Sequence, residues 1–192
     1  EDPVRLGLVS SLARPSGNMT GINFVTSELA AKRLELLREL VPTAIRVAVF
    51  VNPTNAANTE TALRDVAPAA RALGMQIQFH RVSTSREINA AFTKFVSERP
   101  DALFFAGDGF FTNRRVQLVN LASRHALPAA YADLLLPDVF LLFIYCTNVI
   151  DAYRQVGVYA GRILKGAKPA ELPVLQATKF ELVINAETAR ML

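Results

Sequence analysis

Cysteine and histidine are scarce in this chain of 192 residues. The single cysteine, Cys146, excludes an internal disulfide framework and any cysteine-based metal site. The two histidines, His80 and His125, lie far apart in the sequence and lack the spacing of metal ligands. We therefore expect no metal and no cofactor.

The chain also lacks long apolar runs and blocks of like charge. Its longest apolar run, residues 139–146, is far shorter than the roughly 20 residues that a membrane-spanning helix needs. The net charge of +4 comes from 21 basic and 17 acidic residues that are scattered along the sequence. Because nucleic-acid binding requires a clustered basic face, we expect no nucleic-acid partner. The start at Glu1, without a methionine, predicts that a longer sequence precedes it.

Sequence patterns typical of helices and of strands alternate along the chain. This alternation predicts an α/β fold, a three-layer α/β/α arrangement with a parallel sheet covered by helices on both faces. Ser27 is expected to cap the first helix, Thr84 and Glu87 form a capping box, and Pro68 is expected to kink or shorten its helix. The predicted helices cover 28–41, 59–73, a segment after Thr84 with Ile88, Ala91, Phe92, Phe95 and Val96 on its buried stripe, 115–125 and 151–165. The predicted strands cover 46–51, 76–82, 103–106, 127–131, 139–146 and 179–184.

Polar side chains follow two of these strands. Asn52 and Asn55 come after strand 46–51, and Asp108 comes after strand 103–106. Ligands of open α/β sheets bind outside the carboxyl ends of the strands, so the three residues are candidate ligand contacts. The asparagines can bind a ligand carboxylate or side chain, or they can satisfy local backbone groups in an Asx turn. Asp108 can pair with a ligand ammonium, or it can cap the next helix.

Other candidates lie at predicted strand ends or just after them. Phe110 and its neighbour Phe111 can stack on a flat ligand or pack on the edge of the core. The remaining candidate ligand contacts are Tyr131, Tyr145, Thr147 and Asn148. No nucleophile elbow, phosphate-binding loop or dinucleotide fingerprint is present, so the sequence gives little support to catalysis. A small α/β enzyme centred on Asp108 remains an alternative.

Several short motifs, in their order and spacing, resemble those of one protein family over nearly the whole chain. The chain is similar to the TrpX-like substrate-binding proteins of ABC transporters, which have a type I periplasmic-binding fold. The motifs are Asp2-Pro3-Val4 with Leu6-Gly7-Leu8-Val9, Arg14-Pro15-Ser16-Gly17-Asn18, Ala31 to Leu37, Asn52-Pro53 with Asn55, Asp151 to Gln155 leading into Gly161 to Gly166, and Lys179 to Asn185.

The resemblance implies two lobes joined by a hinge, with most of the first lobe missing from this chain. Residues 1–21 would be the tail of the first lobe and 22–131 the second lobe. Residues 132–174 would form the hinge crossing and a helix of the first lobe, and 175–192 would return to the second lobe. The implied function is capture of a small organic solute by hinge closure. The implied solute is an amino acid, with an aromatic amino acid as one candidate. The implied partner is an ABC permease in the membrane, and the implied location is the periplasm.

One segment departs from the family pattern. Between Ala132 and Cys146 the family usually has a charged and aromatic stretch, a pair of glycines and a Ser-Tyr-Gly turn. Here Phe140 and Leu141 replace the glycines, and Cys146 replaces the turn glycine. The resemblance therefore implies nothing about the pocket wall that this segment would form.

Two further expectations follow from the missing lobe. An isolated half-site predicts weak or no ligand binding by this chain alone. Helix 151–165 would expose Val156, Ala160 and Ile163, which predicts a homodimer or exchange of the segment after about Asp133. A rival function is the effector-binding domain of a transcription regulator, which shares the fold and would need a DNA-binding segment upstream.

Overall fold

The computed structural model describes residues 2–24, 29–132 and 142–191. The chain divides into two compact units. The smaller unit comprises residues 1–26 and 147–181, and the larger unit comprises 27–146 and 182–192. The assignment of segments to lobes made above stays a prediction.

The described elements alternate between helix and strand over most of the chain. The strands are β1 (Ile22–Asn23), β2 (Arg46–Val51), β3 (Gln76–Arg81), β4 (Ala102–Phe105), β5 (Ala129–Tyr131), β6 (Phe143–Thr147), β7 (Leu175–Gln176) and β8 (Phe180–Ile184). The helices are α1 (Ala30–Leu40), α2 (Ala56–Ala72), α3 (Ser85–Glu98), α4 (Gly109–Asn113), α5 (Arg115–Arg124), α6 (Val149–Leu164) and α7 (Ala186–Met191), with a 3-10 turn at Pro169–Glu171.

A six-stranded sheet forms the centre of the fold, with the strand order β3-β2-β4-β5-β6-β8. The pairs β2–β3, β2–β4, β4–β5 and β5–β6 are all parallel. Parallel strands that are joined by helices must be covered on both faces, which explains why β2 is buried along nearly its whole length. The predicted α/β fold class is confirmed.

Two apolar clusters cover the two faces of this sheet. Because side chains alternate along a strand, Val47 and Val49 of β2 enter one cluster and Phe50 enters the other. Helices α1 and α2 pack in the first cluster, and α3 and α5 pack in the second. The carboxyl ends of β2 and β4 are thereby held side by side at one edge of the sheet.

The boundaries of some elements differ from the prediction. Helix α2 begins at Ala56, because Asn55 caps it, and it continues past Pro68, which lies exposed within the helix. Val96 was expected on the buried stripe of α3, but it is 68% exposed because it lies at the edge of that stripe. Helix α4 was not predicted. The proposed cap at Ser27 and residues 139–141 of the predicted strand lie outside the described residues.

The smaller unit has its own two-stranded sheet, in which β1 and β7 are parallel. Helix α6 buries Ala152 and Tyr159, and the Tyr159 hydroxyl donates to the Pro173 carbonyl at 2.7 Å. The Thr20 hydroxyl donates to the Leu172 carbonyl at 2.6 Å. Among the described helices, none combines the length and the apolar character that crossing a membrane would require.

Candidate ligand-binding site

The turn after β2 is built by its asparagines. The side-chain oxygen of Asn52 accepts hydrogen bonds from the backbone N–H of Thr54 at 3.1 Å and from the Thr54 hydroxyl at 2.7 Å. The side-chain oxygen of Asn55 accepts from the Asn58 N–H at 3.3 Å and so caps α2. The alternative that these oxygens satisfy local backbone groups is confirmed, as an Asx turn at Asn52 and an N-cap at Asn55. Neither side-chain amide nitrogen is used in these local bonds.

Both amide nitrogens donate to one carboxylate on the neighbouring strand. Asn52 Nδ2 lies 3.0 Å from Oδ1 of Asp108, and Asn55 Nδ2 lies 2.9 Å from Oδ2. Asp108 Oδ1 also accepts from the Phe110 N–H at 2.8 Å, so Asp108 caps α4 as the second alternative predicted. We call Asn52, Asn55 and Asp108 the amide–carboxylate clasp.

The clasp keeps some hydrogen-bonding capacity for a ligand. Each amide nitrogen carries a second N–H, and a carboxylate oxygen can accept more than one hydrogen bond. Asn52 is 8% exposed, whereas Asn55 and Asp108 are half-buried. The surface of the clasp therefore presents an amide donor and a carboxylate acceptor next to each other.

Phe110 forms an aromatic border beside the clasp. Its half-buried ring contacts the Phe111 ring edge-on, with 5.3 Å between the centroids, and Phe111 itself is buried in the core. The guanidinium of Arg114 lies over the Phe110 ring, 5.1 Å from its centroid. No sequence pattern linked Arg114 to Phe110.

Tyr131 does not join the clasp. Its ring stacks on Phe105, with 4.7 Å between the centroids, and the residue is 7% exposed. Burial raises the pKa of its hydroxyl above the ordinary value for tyrosine. That hydroxyl has no hydrogen-bond partner among the described residues. Tyr131 thus belongs to the apolar core, where it packs on β4.

Tyr145 lies on β6 and packs beside the cluster that contains α1. Its carbonyl accepts a hydrogen bond of 2.7 Å from Nε of Arg33. Arg33 is 1% exposed, and its Nη2 also lies 3.4 Å from the carbonyl of Ala132, just beyond β5. A buried guanidinium therefore ties together the carboxyl ends of two neighbouring strands, which the sequence analysis did not foresee.

Thr147 and Asn148 belong to the smaller unit. Thr147 is 4% exposed, and its hydroxyl has no partner within the described ranges. The side-chain oxygen of Asn148 caps α6 by accepting from the Asp151 N–H at 2.6 Å, and its amide donates to the carboxylate of Glu181. No cluster of histidine, cysteine and carboxylate side chains in the described part of the chain is arranged to hold a metal ion.

Comparison with known proteins identifies a relative of this chain in sequence. The chain is 27% identical over 195 residues to a protein of Clostridioides difficile (strain R20291) named tyrosine-binding protein. That match covers all of this chain and 54% of the relative, so the chain spans about half the length of that protein.

Two crystal structures have the same fold. One is an ABC domain from Streptococcus pneumonia in complex with L-Trp, with a TM-score of 0.82, 24% identity and coverage of 98% of this chain and 64% of that one. The other is a conserved domain protein from Vibrio cholerae, with a TM-score of 0.86, 23% identity and coverage of 98% and 62%. The family described as ABC transporter substrate binding protein matches residues 1–192. The chain therefore belongs to the ABC transporter substrate-binding protein family.

Proposed function

We propose that this chain forms the ligand-binding part of a solute-binding protein that delivers an amino acid to an ABC importer. The observation that carries the proposal is the amide–carboxylate clasp at the carboxyl ends of β2 and β4, where α/β sheets bind their ligands. An aromatic amino acid is the ligand that the relatives favour, since one is named for tyrosine and another was crystallised with L-Trp. Phe110 beside the clasp provides an apolar contact for such a side chain.

The proposed mechanism is hinge closure. A ligand bound to one lobe recruits the other, and the closed form is favoured by the additional contacts it makes. We propose, from the resemblance, that residues 22–131 and 175–192 form the second lobe, and 1–21 and 132–174 the hinge and the first lobe. These bounds differ from those of the two compact units, which group β1 and β7 with the smaller unit. The other candidate contacts, Tyr131, Tyr145, Thr147 and Asn148, lie at strand ends and would contribute through packing or on closure.

Two other functions are less well supported. An enzyme centred on Asp108 requires a nucleophile and a base, whereas the described partners of this carboxylate are two side-chain amides and a backbone N–H. A regulator would need a DNA-binding segment, and the family match favours transport. We therefore propose a binding protein without catalysis, which is exported to the periplasm and docks on a membrane permease.

We also propose that this chain forms a homodimer through α6. Helix α6 presents an apolar stripe to solvent, on which Ile150 is 80% exposed, Tyr153 70%, Val156 44%, Ile163 37% and Leu164 88%. Ala160 is exposed on the same helix. Light scattering of the concentrated protein is expected to give twice the chain mass. A monomer at every concentration would contradict the dimer and leave the binding function untouched.

Titration followed by NMR tests the binding function. The side-chain amide signals of Asn52 and Asn55 are expected to shift and saturate with L-phenylalanine or L-tryptophan, and to stay fixed with ribose. Asn55→Ser keeps an N-cap oxygen for α2 but removes the amide, so we expect binding to weaken roughly tenfold. Asn120→Ala, at an exposed asparagine of α5, is the matched control and should bind as the parent does.

The titration can also contradict the proposal. The clasp lies wholly within this chain, so of the two outcomes expected for a half-site we propose weak but saturable binding. Absence of saturable shifts with every aromatic amino acid would remove the proposed function. Because affinity needs both lobes, binding by this chain alone is expected to be weak. Tight stoichiometric binding in a calorimeter would contradict the half-site.

A further inference from the structure

Arg114 is a half-buried cation that the clasp does not use. It lies between α4 and α5, close in the chain to Asp108 and Phe110. Its Nε donates to the hydroxyl of Ser85 at 2.7 Å, and its guanidinium covers the Phe110 ring at 5.1 Å. Nη1 and Nη2 make no hydrogen bond or ion pair with any residue in the described ranges. Nε is thus held by Ser85 and forms the inner edge of the guanidinium. Nη1 and Nη2 form its outer edge and can donate to a ligand.

The anchor of this guanidinium is itself held in place. Gln117 donates to the Ser85 carbonyl at 3.0 Å and to the Asn89 side chain at 2.9 Å, which ties the start of α5 to the start of α3. A guanidinium that is fixed through Nε and stacked on an aromatic ring loses little conformational entropy when its outer edge binds an anion. The Nη1 and Nη2 groups of an arginine can bind one carboxylate with two parallel hydrogen bonds.

Charges of opposite sign both contact Phe110, one at its backbone and one at its ring. The Asp108 carboxylate accepts from the backbone N–H of Phe110, and the Arg114 cation lies over its ring. The N-termini of α2 and α3 follow β2 and β3 at the same edge of the sheet and favour negative charge there. An α-amino acid carries an ammonium and a carboxylate on one carbon, and this arrangement is complementary to it.

We propose that the outer edge of Arg114 binds the α-carboxylate of the ligand, while Asp108 faces its ammonium and Phe110 contacts its side chain. The inference rests on the proposed function and adds a chemical requirement to it. The ligand must carry a free carboxylate, so a decarboxylated amine of the same side chain binds less well.

Paired ligands test this assignment. L-phenylalanine and phenethylamine share the ring and the ammonium, but only the amino acid carries the carboxylate. NMR titration of the parent protein is expected to show tighter binding of the amino acid. Arg114→Gln should weaken amino-acid binding roughly tenfold or more and leave amine binding within about twofold. Arg114→Lys, which keeps the charge but loses the planar fork, should lie between the two.

The adjacent arginine provides the control. Arg115 carries the same charge one residue later, and its Nη1 donates to the Thr112 carbonyl at 3.1 Å. Arg115→Gln should keep the preference of the parent for the amino acid. Equal losses in the two glutamine variants, or parallel loss of amine binding in Arg114→Gln, would overturn the assignment while leaving the proposed function intact. No saturable binding of the amino acid by the parent protein would overturn both.

Discussion

Asn52 and Asp108 lie 56 residues apart in the sequence, yet Asn52 Nδ2 and Asp108 Oδ1 are 3.0 Å apart. The contact exists because β2 and β4 are neighbours in the sheet and run in the same direction. Both strands consequently end at the same edge, and each delivers a polar side chain there. The clasp is therefore a long-range contact that fixes two turns at once.

A double-mutant cycle measures this coupling. Asn52→Ala and Asp108→Ala should each lower the free energy of unfolding by about 1–3 kcal/mol, because each removes a partly buried hydrogen bond between an amide and a charged carboxylate. The double variant should lose less than the sum, by about 0.5–3 kcal/mol. Asn52→Ala also removes the hydrogen bonds from Thr54 to Asn52, whether Asp108 is present or not, so their contribution cancels from the coupling energy. Urea unfolding gives the values, and Asn120→Ala with Asp108→Ala should be additive.

Arg33 is expected to be the most sensitive arginine for stability. Arg33→Met should lower the free energy of unfolding by about 2–3 kcal/mol, since the carbonyls of Tyr145 and Ala132 lose a charged donor inside the core. Arg38 is the matched control, because it lies on the same helix and donates to the Ala44 carbonyl from a half-buried position. Arg38→Met should cost less than about 1.5 kcal/mol. Equal costs in urea unfolding would contradict this role of Arg33.

His80 should make stability depend on pH. Its ring packs between Phe50 and Phe95, and burial lowers its pKa although Glu98 lies 4.0 Å away and attracts the proton. In the unfolded chain His80 has its ordinary pKa of about 6.5 and takes up a proton that the folded protein resists. Stability from this group is therefore complete above that pH and is lost as the pH falls below it.

Two variants separate the contributions at His80. His80→Phe should make the midpoint of urea unfolding less dependent on pH between about pH 5 and 7, since the titrating group is removed. Glu98→Gln removes the carboxylate that raises the pKa, so the loss of stability in acid should become steeper. An unchanged pH profile in His80→Phe would show that another group is responsible.

The capping box at the start of α3 is a further stability prediction. The Thr84 hydroxyl accepts from the Glu87 N–H at 3.2 Å, and the Glu87 carboxylate accepts from the Thr84 N–H at 3.0 Å. Thr84→Ala should lower the free energy of unfolding by about 1 kcal/mol. Thr93→Ala, on the exposed side of the same helix, should change it by less than about 0.5 kcal/mol. Thermal unfolding of both variants checks the difference.

Local patterns in the sequence predicted local structure well. The bounds of β2 were correct because a run of β-branched residues between polar ends is typical of a buried parallel strand. The capping box of α3 was correct because both of its partners lie within one turn. Helix α2 was predicted to start too late because Asn55 was interpreted as a ligand contact, and it is also the N-cap.

Long-range contacts could not be predicted in the same way. The sequence showed that Asn52 and Asp108 follow strands, but not that those strands are neighbours, which depends on the order of the whole sheet. The contact of Arg114 with Ser85 depends equally on how α3 and α5 pack. Arg33 lies on an apolar helix stripe, and only the tertiary structure shows that carbonyl groups surround it.

The distribution of the smaller unit over two distant segments has a consequence for synthesis. The Leu172 carbonyl, which accepts from the Thr20 hydroxyl, is made 152 residues later, and the partner of β1 within the described residues is β7. The neighbouring strands β2, β3, β4 and β5 all leave the ribosome earlier, so their sheet can collapse first during translation. Thr20 and β1 stay without these contacts until residues 172–176 have been made, and a chaperone can bind them during that interval.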